Sequence, residues 1–380
     1  MKFQDIIGQE AAIQKVKDAI QGDRIPHAWL LTGPSGIGKL ALAHAIAAYV
    51  NCQNPQGLES CGKCANCLRI KKGVHPDIHY VLPIIAKKEK GKQLMTDDYL
   101  PQFREAWVEN PYLSLENWQQ MLDGENKQLG ISVHEIRNLK KKIALKAFEA
   151  PYKVVILWYA ERINNQGANA FLKLLEEPPE KTILLMTCDD PGALLKTILS
   201  RCQQLPMGRI QRPLLQSYLQ AHKGLSQEEA EDIASVAEGS VGQALSLMGE
   251  AHQQNSKTFI DWMRTVYTGN MVKISEIAKP LSKASKENQK LFLNLAIKKF
   301  RNALLFHVGM EEIALLGPGE RQFQENFAKV LDDEKIEAII SELETSLYQI
   351  SRNVNSEMVW MGLSINLFRI IRHKILPSKV

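Results

Sequence analysis

An α/β domain with a mainly parallel sheet, followed by an all-α C-terminal half, is the fold class this sequence predicts. Three observations carry it. Apolar strand-like runs alternate with helical periodicity through the first two hundred or so residues. A glycine-rich phosphate loop, Gly33-Pro34-Ser35-Gly36-Ile37-Gly38-Lys39, joins one such strand to a helix. Beyond Arg209 the strand-like runs largely vanish, and helical periodicity continues to Leu367-Phe368-Arg369-Ile370.

Taken in order, Gln9 to Gln21 reads as a helix and His27-Ala28-Trp29-Leu30-Leu31 as a strand. The phosphate loop and an alanine-rich helix from Leu40 to Tyr49 follow, then a cysteine-bearing segment and a short strand near His79 to Leu82. From Ile84 to Gly130 the composition changes. The run Lys87-Lys88-Glu89-Lys90-Gly91-Lys92 leads into a polar stretch carrying Trp107, Tyr112 and Trp118, which reads as an insertion. Its aromatics are expected to pin the excursion onto its own domain in preference to anchoring a partner. Val133, Ile136, Leu139, Ile143 and Ala147 mark an amphipathic helix, and the strand Lys153 to Leu157, a helix from Asn165 to Glu176 and the strand Ile183 to Thr187 complete the α/β pattern. The division expected is a phosphate-loop domain over residues 1–208, a small helical domain over 209–252 and a larger helical bundle over 253–380. Apolar stripes in the last, Leu291, Leu295, Phe300, Leu304 and Leu305, then Met358, Met361, Ile365 and Phe368, suit an internal core or an assembly surface.

The 380 residues are 45% hydrophobic and 23% charged, which excludes bulk disorder, and a net charge of +5 permits contact with nucleic acid without demanding it. Met1-Lys2-Phe3-Gln4-Asp5 has no apolar core of signal-peptide length and no run suits a membrane span, so a cytoplasmic protein is expected. In a reducing compartment, six cysteines with four of them between Cys52 and Cys67 indicate metal ligation before disulfides.

The chemistry-bearing motifs are incomplete in a consistent way. Gly33, Gly36, Gly38 and Lys39 retain what a phosphate cradle needs: converging backbone amides at a helix N-terminus and a bridging ammonium. Leu40, however, stands where a magnesium-binding hydroxyl should follow the lysine. After Val154-Val155-Ile156-Leu157 come Trp158 and Tyr159, where an active NTPase carries carboxylates. Glu161 lies two positions on, a displacement of roughly 7 Å along a strand, and does not replace them. No magnesium site and no hydrolysis are expected, while ATP or ADP binding stays open. Cys52, Cys61, Cys64 and Cys67 pack three thiolates into a seven-residue loop with the fourth at a helix end, a set that suits structural tetrahedral zinc better than an iron–sulfur cluster. Four protein thiolates leave no open position, which argues against a zinc hydrolase.

Several further segments occur in one order with these motifs: Phe3-x-x-Ile6-Ile7-Gly8-Gln9, Pro26-His27-Ala28, Asn169 through Leu174-Leu175-Glu176-Glu177-Pro178-Pro179, and Thr197-Ile198-Leu199-Ser200-Arg201-Cys202. Together they resemble the bacterial clamp-loader AAA+ subunits of DNA polymerase III through most of residues 1–250, with Arg352-Asn353-Val354-Asn355 a fainter echo. The resemblance implies an AAA+ domain with an embedded zinc module, a helical lid over 209–252 and a helical collar over 253–380. It implies a hetero-pentamer with gamma or tau and delta subunits, acting on a sliding clamp and primer-template DNA during replication. Motor members of that family carry an Asp-Glu pair after the strand and an arginine in the Gly-Ser-x-Arg segment. Here Trp158-Tyr159 and Gly242, within Glu238-Gly239-Ser240-Val241-Gly242-Gln243, occupy those places, so the non-hydrolysing member is the better match. Arg201 is then implied to be an arginine finger acting in trans on a neighbouring ATPase. The rival is an active AAA+ ATPase of the gamma/tau motor type. Lys140, Lys141, Lys142 and Lys146 are placed to approach DNA, although a solvated face is the preferred reading.

Overall fold

The computed structural model describes residues 1–22, 25–89, 92–122, 127–248, 250–284, 286–307, 331–352 and 354–372. Lys90, Gly91 and Asn353 lie outside the described residues, as does the side chain of Leu291. Two compact units divide the chain, Met1–Lys223 with Glu238–Gln243, and Gly224–Ala237 with Ala244–Val380.

The first unit is built on a five-stranded sheet. Its spatial order is Ile78–Val81, Lys153–Leu157, Thr182–Cys188, Ala28–Thr32, Gln203–Pro206, and every pairing is parallel. Parallel neighbours need crossovers, and helices supply them: Lys39–Val50 after the first strand, Val133–Ile143 before the 153–157 strand and Asn165–Glu176 after it. Both faces are therefore covered, and the period-2 alternation divides the strands between two cores. Trp29, Leu31, Val154, Ile156 and Leu185 face one, and Leu30, Val155, Leu157, Leu184 and Met186 the other. The chain leaves Ala28–Thr32 for the far edge strand Ile78–Val81 and leaves the adjacent Thr182–Cys188 for the opposite edge strand Gln203–Pro206, so the loop after Ala28–Thr32 opens at a topological switch point.

Two local outcomes differ from the periodicity. The amphipathic helix stops at Ile143, leaving Ala147 in the following loop. Lys153, buried at the start of its strand, donates from Nζ to the carbonyls of Ile143 (2.6 Å) and Leu145 (2.9 Å), and these long-range bonds end the helix. The edge strand Gln203–Pro206 is too polar and too exposed to announce itself by pattern. The insertion, in its described residues, belongs to this unit. Its helices Thr96–Glu109 and Leu115–Met121 bury Trp107, Tyr112 and Trp118, as expected of aromatics that pin it in place.

The second unit is helical throughout its described residues, with its longest helices at Glu250–Thr268, Lys286–His307, Asp333–Ser351 and Ser356–Arg372. Trp262, Phe292 and Trp360 meet edge to face at its centre, 5.6–5.7 Å between ring centroids. Both indole N–H groups are satisfied, Trp262 by Ser364 Oγ and Trp360 by Gln289 Oε1, each at 2.9 Å. Seating Trp360 turns the last helix so that Val359, Leu363 and Leu367 are buried, while Met358 of the expected stripe is 73% exposed.

Candidate functional site

The phosphate loop leaves the strand Ala28–Thr32 and enters the helix Lys39–Val50, with Gly38 as its N-cap. Gly33, Gly36 and Gly38 all have positive φ, so the loop has the backbone shape its glycines allow. What fills the space around it is the chain itself. A Cβ at Gly36 would lie 2.4 Å from Ser240 Oγ and 3.0 Å from Gly242, and one at Gly38 would lie 2.9 Å from the Tyr112 ring. Ser240 Oγ donates to the Ser35 carbonyl (2.9 Å) and the Gly242 amide to the Gly36 carbonyl (3.0 Å). Gly242 is itself hemmed in: a Cβ there would meet the Tyr112 carbonyl at 2.6 Å.

Lys39 is buried and its ammonium is fully surrounded. Nζ donates to the carbonyls of Gly33 (2.6 Å) and Pro34 (2.5 Å) and lies 2.7 Å from Asp189 Oδ1. The last contact is an ion pair by distance without a well-angled hydrogen bond. An ammonium has three donors, and here three protein oxygens lie around it.

Trp158 and Tyr159, at the end of the Lys153–Leu157 strand, do structural work. Trp158 is buried against Phe103 (5.7 Å between centroids) and Trp118 (6.3 Å), both from the insertion. Tyr159 adopts the left-handed region (φ 57°, ψ 68°), a conformation that side chains rarely take, and is held there by its amide donating to Thr187 Oγ1 (3.0 Å). Its hydroxyl lies 3.1 Å from Ser35 Oγ and accepts the Leu115 amide at 3.1 Å, linking the phosphate loop to the insertion. Burial, with Asp189 and Glu116 nearby, drives the phenol pKa far above its ordinary value, so Tyr159 stays neutral. Glu161 sits in the short turn Ala160–Arg162, where its carboxylate accepts the Asp189 amide at 2.7 Å, and burial pushes its pKa up.

The four cysteines come together from two elements. Cys52 follows the helix Lys39–Val50, and Cys64 caps the helix Ala65–Lys71 that carries Cys67. Their four Sγ atoms all lie within 4.8 Å of one another, with Cys61 and Cys67 at 4.0 Å. Zinc–sulfur bonds of about 2.3 Å at tetrahedral angles require sulfurs about 3.8 Å apart, so this donor set fits zinc. The amides of Cys61 and Cys64 point at Cys52 Sγ (3.2 Å) and Cys61 Sγ (3.3 Å). Backbone N–H groups of Lys63 and Cys64 lower the Cys61 pKa to about 6, favouring the thiolate a metal takes.

Arg201 stands at the C-terminal side of the short helix Lys196–Leu199, half exposed. Its Nη2 pairs with Glu176 Oε1 at 2.7 Å and its Nη1 donates to the Thr197 carbonyl at 3.0 Å. Of the four lysines near the 133–143 helix, Lys142 pairs with Asp97, and Lys141 and Lys146 are exposed.

The loop after that helix was not singled out by sequence, and it is built with care. Asp77 is buried and accepts the amides of Phe148 (2.6 Å), Glu149 (2.9 Å) and Ala150 (2.9 Å). Burial alone would raise its pKa, but the three amides outweigh burial and hold it below the ordinary carboxylate value. A depressed folded-state pKa stabilises at pH above the unfolded value, about 3.9, and the gain is lost as pH falls through the folded value. Acid is therefore expected to release residues 148–150 below about pH 4. Asp77→Ala, which strands three amides, should cost about 3 kcal/mol at neutral pH and remove this acid transition; denaturant unfolding against pH measures both.

The strand order, with the phosphate loop at the switch point and an arginine-bearing turn after the 182–188 strand, defines an AAA+-type P-loop domain. A family model described as "DNA polymerase III, delta subunit" matches residues 8–211. Similar proteins include DNA polymerase III subunit tau of Bacillus subtilis, 29% identical over 259 residues (66% of this chain, 38% of that one). Subunit delta' of the same organism is 29% identical over 211 residues (56% and 51%), and subunit delta' of Yersinia pestis 35% identical over 176 residues (46% and 40%). The chain belongs to the DNA polymerase III delta-subunit family. Its matched part spans about half or less of the length of these relatives. Among the described residues no helix is long and apolar enough to cross a membrane.

Proposed function

We propose that the chain is the delta-prime, non-hydrolysing subunit of the DNA polymerase III clamp loader. In this reading it helps place the sliding clamp on primed DNA in a hetero-pentamer with gamma or tau and delta subunits, and Arg201 reaches the ATP site of a neighbouring motor subunit. The supporting observation is the environment of Lys39. Its ammonium is enclosed by the Gly33 and Pro34 carbonyls and Asp189, and Trp158 and Tyr159 stand where magnesium-supporting acids would be. A chain so built has no means of holding a triphosphate and its cation in a reactive pose. An arginine supplied in trans needs none of those groups, only reach and charge.

One observation favours the rival motor reading: Asp189 places a carboxylate on Lys39, and a second carboxylate, that of Glu161, accepts the Asp189 amide. Turnover of ATP by the isolated chain, lost on Lys39→Ala, decides for the rival. Absence of turnover alone, with Arg201-dependent turnover in the reconstituted complex, decides for the delta-prime reading.

Zinc bound by Cys52, Cys61, Cys64 and Cys67 would supply a cross-link between the end of the 39–50 helix and the 65–71 helix. Asn51 and Asn66 continue that link, Asn66 Nδ2 donating to the Asn51 carbonyl (2.9 Å) and Asn51 Nδ2 to the Tyr152 carbonyl (3.0 Å). Elemental analysis should find about one zinc per chain. Cys61→Ser should lower zinc occupancy and drop the thermal midpoint by about 10 °C, and an unchanged midpoint with full occupancy would remove this assignment.

A further inference from the structure

We propose that the insertion acts as a built-in stopper of the nucleotide site, with Tyr112 as its plug. The inference rests on the delta-prime reading only in taking the phosphate loop to be a nucleotide site that this chain does not use. The turn that carries the plug is specified locally. Asn110 receives the Tyr112 amide on Oδ1 (2.9 Å) and the Leu113 amide on its carbonyl (3.1 Å), and Ser114 then caps the helix Leu115–Met121. The Tyr112 ring is thereby laid against Gly38, the N-cap of the helix whose amino end would receive a phosphate. Its hydroxyl accepts the Ile7 amide (3.4 Å), and Tyr218 packs edge-on against its ring (6.1 Å).

Two further contacts interlock with it. The Tyr112 carbonyl lies where any side chain at position 242 would have to begin, so glycine there is a condition of the plug. The Tyr159 hydroxyl bonds both Ser35 and the Leu115 amide, fixing the loop and the insertion to each other. Leu115 lies three residues beyond Tyr112, and both belong to the segment that has no counterpart in a bare strand–loop–helix motif. With Asp189 and the Gly33 and Pro34 carbonyls on Lys39, the ammonium a nucleotide would claim is already held by protein groups.

The test is nucleotide binding by the full-length chain, using a fluorescent ATP analogue with magnesium. Wild-type protein should show no saturable binding up to about 1 mM. Tyr112→Ala combined with Asp189→Asn should bind at least tenfold more tightly than that limit, and Tyr112→Phe, which keeps the ring, should not. Saturable wild-type binding overturns the stopper, and so does a folded double variant that still binds nothing. Should the double variant not fold, Tyr112→Ala alone decides: saturable binding below the wild-type limit is expected, and a folded single variant that binds nothing overturns the proposal. Arg201-dependent turnover in the assembled loader reports separately on the delta-prime reading. A wild-type chain that takes up ATP yet still stimulates its neighbour sinks the stopper alone.

Discussion

In a clamp loader reconstituted with Arg201→Ala, single-turnover hydrolysis at the motor site next to this chain is expected to fall by about three orders of magnitude. A guanidinium brought to a γ-phosphate from a neighbouring chain is worth about 10³ to 10⁵ in rate, because it neutralises charge spread over the transferring phosphoryl group. Lysine should not rescue the loss, since it offers a point charge in place of a planar fork. The partner of Arg201 in the isolated chain should matter little. Glu176 and Arg201 are both well exposed, and such pairs contribute at most about 1 kcal/mol. Glu176→Ala should therefore leave stability unchanged and alter the rate by no more than a few-fold. An unaltered single-turnover rate in the Arg201→Ala complex would withdraw the finger assignment.

Restoring a carboxylate at the strand end is expected to damage the protein without restoring an ATPase. Trp158→Asp removes an indole enclosed by Phe103 and Trp118, and core tryptophan truncations cost about 3–5 kcal/mol. The new carboxylate would also be buried without a cation, which adds to the loss or forces it to protonate. Against a typical domain stability of about 5–15 kcal/mol, the variant should unfold at much lower temperature, with the insertion released first. Trp158→Phe, which keeps an aromatic ring, should lose about 1–2 kcal/mol. Limited proteolysis within residues 84–130 and thermal melts read both effects. A Trp158→Asp protein as stable as wild type would mean that the insertion is held by other contacts.

Much of the first unit was legible because its signals are local. The apolar run before Gly33, the glycine spacing to Lys39 and the apolar run Val154-Val155-Ile156-Leu157 each report a strand or a turn within a few residues. The cysteine spacing likewise brings its sulfurs together through one helix end and one short loop. What closes the phosphate loop was not legible, since the partners are distant in sequence. Tyr112 is 74 residues from Gly38, Asp189 is 150 from Lys39 and Ser240 is 205 from Ser35. The two aromatics at 158 and 159 signalled missing acids, yet Trp158 is also the partner of the aromatics at 103 and 118, and Tyr159 that of the Leu115 amide. The stripe in the last helix was read off-centre: Met361 and Phe368 pack at the edge of the core and Met358 is exposed, because hydrophobic period fixes a face only to within a residue or so, and Trp360 sits at the centre.

The welding of the insertion to Trp158 and Tyr159 also bears on how this lineage can change. An acid at position 158 would lose the seat of Phe103 and Trp118, and one at 159 the hydroxyl that takes the Leu115 amide, while loss of the excursion would bare both rings to water. Each single step in either direction passes through a less stable protein, so the arrangement behaves as a ratchet: once both halves were in place, retreat required several substitutions at once.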